Sequence, residues 1–183
     1  NPIQDIFRQA NKRFVSLQDN DPEKLNDPDW LKENMPFTGE LFLGHLRYGT
    51  YGGNNIEQCH PFLRQNNWKT RNLIIAGNFN MTNVDELFTH LTDLGQHPKE
   101  KADTVTILEK IGHFLDEEND KIYYKYKDKL SKKEITKVIE DELDLQEILA
   151  QSAKNWDGGY VMCGMIGHGD AFTLRDPNAI RPA

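Results

Sequence analysis

The sequence predicts an α+β fold, and three observations predict it. Short apolar runs of the kind that make buried strands lie toward the two ends of the chain. The middle, from Asn83 onward, carries apolar residues at helical spacing between capping residues. The strand-like runs and the helical runs are segregated rather than alternating, which favours α+β over a doubly wound α/β architecture. No internal repeat is present. At 183 residues the chain has room for one sizeable core and a helical appendage. Only 37% of it is hydrophobic, but those residues are periodic, so the sequence describes a core diluted by polar helices and loops rather than disorder.

The elements follow in order. Ile3, Ile6, Phe7, Ala10, Phe14 and Leu17 share one face at helical spacing, with Asn1 as cap and Pro2 at the first helical position. Residues 19–36 read as a polar, proline-punctuated connector around Trp30 and Leu31, so that 1–36 is a helical lead-in. Residues 41–46 read as a strand, and the Gly- and Asn-rich stretch after it as loop. Leu73 to Ala76 is a short, fully apolar strand, and Gly77–Asn83 its polar exit.

Asn83 caps a helix whose inner face is Val84, Leu87, Phe88, Leu91 and Leu94, with Glu86 completing a capping box and Gly95 ending it. Asp103 opens a second helix, and Ser131 with Glu134 caps a third. Between them, residues 117–133 read as a charged, solvated face or an exposed helical hairpin, and 117–152 as a helical insertion. Tyr160 to Ile166 and Ala171 to Leu174 form a hairpin about Gly167–Asp170.

A formal charge of −7 argues against nucleic acid, whose binders carry a basic excess. No apolar run approaches the ~20 residues that span a bilayer, so no membrane partner is expected. Two cysteines, Cys59 and Cys163, make no disulfide framework, and a reducing cytoplasm is the default compartment. The six histidines show no zinc-ligand spacing, and there is no P-loop or dinucleotide fingerprint, so no cofactor is expected in this segment. Both ends read as cut, as in a piece of a longer protein.

Two clusters carry candidate chemistry. Asn78 at a strand exit offers a neutral amide donor, and its side chain with the Phe79 N–H would suit an oxyanion. Turn and capping chemistry is the commoner use of Asn, and it accounts for Asn83 outright. Arg47, at the end of a predicted strand beside a glycine-rich loop, suits bidentate capture of a carboxylate or an ordinary ion pair. Asp103 would accept from an ammonium group or cap its helix. Cys59 beside His60 is a tempting nucleophile and base, yet consecutive residues of extended chain point to opposite sides. Cys163 reads as core.

Taken together the motifs resemble a known family. Gly44-His45-Leu46-Arg47-Tyr48-Gly49-Thr50, Gln58-Cys59-His60-Pro61-Phe62, Gly77-Asn78-Phe79-Asn80-Met81-Thr82-Asn83, Ala102-Asp103-Thr104-Val105, Gly158-Gly159-Tyr160 and Arg175-Asp176-Pro177-Asn178-Ala179-Ile180-Arg181-Pro182 occur in the order and spacing of the amidophosphoribosyltransferase glutaminase domain. That domain is a class II glutamine amidotransferase of the N-terminal-nucleophile hydrolase type. The resemblance implies a four-layer αββα sandwich, here incomplete at both ends. Residues 1–183 would be a fragment of it, with the phosphoribosyltransferase domain absent.

It further implies that Arg47 grips the glutamine α-carboxylate, Asp103 its α-ammonium group, and Asn78 with the Phe79 N–H the oxyanion. Ammonia would pass to phosphoribosyl pyrophosphate, held with Mg in the other domain, giving 5-phosphoribosylamine for purine synthesis. The intact protein would pair with its own phosphoribosyltransferase domain and form a homo-oligomer. The family's amino-terminal cysteine is missing, position 1 being Asn, so the nucleophile is expected upstream and this fragment alone inactive. Gly49, Gly77, Phe79, Ala102 and Val105 stand where the family has Ser, His, Gly, Ser and Glu. Two alternatives stay open: a degenerate amidotransferase domain kept for regulation or assembly, and the glutaminase half of another class II enzyme.

Overall fold

The computed structural model describes residues 2–45, 59–98 and 101–183. They fall into two units, Asn1–Phe42 and Leu43–Ala183.

In the first unit α1 spans Pro2–Asn20, close to the predicted helix. Its expected inner face is only partly covered: Ala10 is buried, whereas Ile6 and Phe7 are more than half exposed. Phe7 stacks on Phe37 at 5.1 Å where the chain returns. The connector is more regular than predicted. It holds a 3₁₀ turn, Pro22–Asn26, and α2, Pro28–Asn34. Asp27 caps α2 by accepting from the Trp30 N–H, with Pro28 at the first helical position, so the prolines start structure here rather than break it. The strand expected from residue 41 does not form among the described residues: 41–45 pair with nothing, and Leu41 and Phe42 are exposed. A short apolar run is a strand only where an edge is available to pair with it.

The second unit is built on one antiparallel sheet of order β1-β2-β3-β4. Its strands are β1 (Phe62–Arg64), β2 (Leu73–Met81), β3 (Gly158–Ile166) and β4 (Ala171–Arg175). Helices α3 (Val84–Asp93), α4 (Asp103–Tyr126), α5 (Lys132–Glu142) and α6 (Leu145–Ser152) supply the rest. Leu73 and Ile75 of β2 and Tyr160, Met162 and Ile166 of β3 alternate onto the helical side, where they meet Ile107, Ile111 and Leu115 of α4. The opposite face is open. Asn78, Asn80 and Cys163 are exposed on it, so Cys163 is not a core residue, contrary to expectation. Its neighbour Met162 takes the core position, and strand alternation sends Cys163 outward to lie 3.5 Å from Thr173 Oγ1.

Strand β2 is nine residues long where four were predicted. Gly77 to Met81 are strand because β3 pairs along all of them, down to Met81 opposite Gly158. The polar side chains of this half lie on the open face and need no burial. Gly158 adopts φ +120 there, and a Cβ on it would come within 2.3 Å of the Asn80 carbonyl.

Asn83 precedes α3 but forms no side-chain cap. Its amide instead donates to the Asn155 carbonyl and accepts from the Asp157 N–H, tying the β2–α3 corner to the approach of β3. Gly95, at φ +81, ends α3 as predicted, with the Gln96 N–H reaching back to the Leu91 carbonyl. Helix α4 runs 24 residues and absorbs much of the stretch expected to be solvated. Its carboxylates are claimed: Arg64 pairs with Glu109 and Asp116, and Arg71 with Asp120. Beneath them Asn119 is fully buried, bonded to Thr70 Oγ1 at 2.6 Å and to the Leu115 carbonyl. Ile122, Ile135, Ile139 and Ile148 join the same core, so residues 117–152 pack onto the rest of the unit. The Ser131–Glu134 capping box on α5 and the β3–β4 hairpin form as predicted.

Candidate functional site

Three of the four predicted site residues, Asn78, Phe79 and Asp103, meet at one strand, β2. Strand β1 pairs with β2 only as far as Phe62 opposite Ile75, and among the described residues no strand pairs with the second half of β2 on that side. In an antiparallel strand successive N–H groups point to opposite edges. Gly77 and Met81 donate away from β3, to His60 Nδ1 at 3.3 Å and to Asp103 Oδ2 at 3.0 Å. Phe79, two residues from each, turns its N–H to the same edge. Its partner across the sheet is Tyr160, whose carbonyl is spent on the Asp176 N–H toward β4.

Asp103 is thus brought to the strand that carries Asn78 and Phe79. It does not cap its helix: Ala102 is the capping position, and no side chain caps it. An ionised carboxylate has about four acceptor sites, and the Met81 N–H uses one of them. Asn78 lies on the open face with its side chain exposed. The Phe79 ring takes the helical face, stacked at 5.9 Å and 20° on His60, and so leaves the Asn78 side clear. A Cβ on Gly77 would meet the Val161 carbonyl at 2.4 Å and the Met162 Cβ and Phe79 ring at 2.8 Å, so a side chain at 77 would force the neighbouring backbone to shift. Arg47 lies outside the described residues.

Two features escaped sequence reasoning. His60, noticed only as a neighbour of Cys59, sits at the centre of the edge. Its ring contacts His45 at 4.6 Å and Phe62 at 5.0 Å, and its Nε2 lies 3.5 Å from Thr104 Oγ1. The signal available was its position just before Pro61-Phe62 in a motif already singled out. The second is the segment after β4. Buried Asp176 accepts from the Ile180 and Arg181 N–H groups, and Ile180 covers Gly159, the residue opposite Asn80. Burial would raise the Asp176 pKa, but those backbone donors hold it below the usual carboxylate range. Burial, with Asp176 nearby, pushes the Tyr160 hydroxyl up.

Among the described residues no three His, Cys, Asp or Glu side chains are grouped to hold a metal, and no helix is long and apolar enough to cross a membrane.

This α+β unit thus presents a backbone donor and a carboxylate along one strand edge, with an amide side chain on the adjoining open face. Comparison with known proteins adds to this. No family model matches the chain. Over 147 residues it is 29% identical to the amidophosphoribosyltransferase of Pseudomonas aeruginosa, an alignment covering 79% of this chain and 25% of that protein. It is 28% identical over 145 residues to the enzyme of that name from Schizosaccharomyces pombe, covering 79% and 24%. With that of Archaeoglobus fulgidus it shares 31% identity over 98 residues, covering 54% and 20%. A solved structure, glutamine phosphoribosylpyrophosphate amidotransferase from B. subtilis complexed with ADP and GMP, matches with 23% identity and a TM-score of 0.48, covering 75% of this chain and 23% of that one. The chain is thus similar over most of its length to proteins named amidophosphoribosyltransferase, and it spans about a quarter of the length of the curated relatives it matches.

Proposed function

We propose that this chain is the glutamine-binding part of a class II amidotransferase that supplies ammonia to phosphoribosyl pyrophosphate, forming 5-phosphoribosylamine for purine synthesis. The observation that carries the proposal is the convergence of the Asp103 carboxylate and the Phe79 N–H on one edge of β2, with Asn78 next to Phe79 in the strand. Homology to enzymes of that name over most of the chain supports it.

In this reading Asp103 uses its spare acceptor sites on the α-ammonium group of glutamine, and Arg47 pairs with the α-carboxylate. The substrate then lies along the edge with its side-chain carbonyl over the Phe79 N–H. The Asn78 amide reaches the same oxygen from the open face. A thiolate attacks the amide carbon, and the two donors hold the oxyanion of the tetrahedral intermediate. Each such donor is worth ~2.7–4 kcal/mol. Ammonia leaves, and water hydrolyses the thioester to glutamate. The thiol is supplied from outside these residues, and this segment alone is inactive. Half-buried Ile74, Val161 and Met165 on the face of the sheet away from the helices suit a second sheet, as in a four-layer sandwich. Mg-bound phosphoribosyl pyrophosphate, the transferase domain and a homo-oligomeric assembly belong to the longer protein.

The test is to label the full-length protein with a glutamine-analogue diazoketone and locate the adduct by peptide mass. Glutamine-protected label on an amino-terminal cysteine supports the proposal. Label on Cys59 overturns the assignment of the nucleophile. Absence of any glutamine-protected label overturns glutamine hydrolysis itself.

A further inference from the structure

Beyond the end of β1, three N–H groups of β2 face an edge on which no described residue forms a strand, and side chains take the outer two: His60 that of Gly77, Asp103 that of Met81. Extending the β1–β2 register would place His60 opposite Gly77. The His60 imidazole accepts the Gly77 N–H where the backbone carbonyl of a longer β1 would have done so. An accepting Nδ1 carries no proton, so the ring is neutral with its proton on Nε2, directed to Thr104 beside Asp103. His45, Phe62 and Phe79 hold the ring in place by stacking and edge contacts.

We propose that His60 is a positioning residue for glutamine hydrolysis: it locks the free half of β2 to the first turn of α4 and so fixes the direction of the Phe79 N–H. The inference rests on the glutaminase reading above. The physical need is specific. An unpaired strand edge is free to twist, and a donor displaced by about 1 Å costs up to ~10²-fold in rate. His60 touches no substrate atom in this scheme, so its loss falls on kcat and spares KM. What the site uses is one acceptor and one donor on a short planar group, which a carboxamide also offers.

The experiment compares His60→Leu and His60→Gln with wild type in the full-length protein, measuring glutamine hydrolysis and amide hydrogen exchange at Gly77. His60→Leu is expected to lower kcat by roughly 10- to 100-fold, to leave KM within about threefold, and to speed Gly77 exchange. His60→Gln is expected to restore kcat to within about threefold of wild type and to protect Gly77. If His60→Leu does not fold, Thr104→Val removes only the Nε2 partner and is expected to lower kcat several-fold at constant KM. An active wild type with unchanged kcat in His60→Leu, or His60→Gln as damaged as His60→Leu, overturns the positioning role alone. With His60→Leu unfolded, unchanged kcat in Thr104→Val overturns it equally. A wild type unable to hydrolyse glutamine overturns the reading beneath it.

Discussion

Ala179 is a residue whose replacement by glycine should make the protein more stable. It adopts φ +55, in the left-handed region, within the segment that closes over Gly159. That conformation is imposed from both sides: the Ala179 N–H donates to the Asp176 carbonyl, while the next two N–H groups turn back onto the Asp176 carboxylate. Arg175 also donates to the Ala179 carbonyl at 3.0 Å. A residue with a Cβ is destabilised in the left-handed region by roughly 1–2 kcal/mol. Ala179→Gly removes that strain but loosens the unfolded chain, which returns ~0.4–1 kcal/mol. The expected net gain is about 0.5–1 kcal/mol, a rise in Tm of roughly 1–4 °C for a domain of this size. No hydrogen bond is lost, because every contact made by Ala179 is through its backbone. Thermal unfolding followed by circular dichroism measures the shift, and urea titration should move the midpoint at constant slope. A lower Tm would refute the reasoning, since it would mean that the segment selects this conformation without strain.

The remaining predictions concern the site and its acid limit. Gly77→Ala should destabilise by at least the ~1–3 kcal/mol of an overpacked core, and Phe79→Ala should not rescue it, because the nearest obstacle is the Val161 backbone carbonyl; recovery in the double variant, read from urea midpoints, would contradict this. Asp103→Asn keeps an oxygen to accept the Met81 N–H, so Tm should stay close to wild type while the glutamine KM of the full-length protein rises at least tenfold; a normal KM would remove Asp103 from the binding site. The Asp176 pKa is depressed in the folded state, so its contribution is fully present above the ordinary value of 3.8 and is lost as pH falls below it. Asp176→Asn should therefore flatten the acid limb of the stability–pH curve below about pH 4, and an unchanged limb measured by urea unfolding between pH 2 and 5 would show that other carboxylates govern it.

Signals confined to a few residues were readable without coordinates. Ser131 with Glu134, Gly95 after its helix, Pro2 at a first helical turn and the Gly167–Asp170 turn each act on backbone groups within one turn of themselves. The motif order sufficed to indicate the family, and the homology agrees with it.

Tertiary structure decided what depends on distant partners. β2 continues through Gly77–Met81 only because β3, some eighty residues away, pairs along it. The charged half of α4 is buried at Asn119 and tied down at Asp116 because Thr70, Arg64 and Arg71 arrive from the sheet side. Asp103 looked like a cap and is a strap on Met81, while His60 looked incidental and holds Gly77. Sequence by itself determined the local stops and starts, the start of α5 at Ser131 and the end of α3 at Gly95 among them, since capping and turn formation are short-range. Which edge of β2 was left open, and which side chains took its N–H groups, only the folded chain decided, since an unpaired donor bonds whatever acceptor the packing brings within reach.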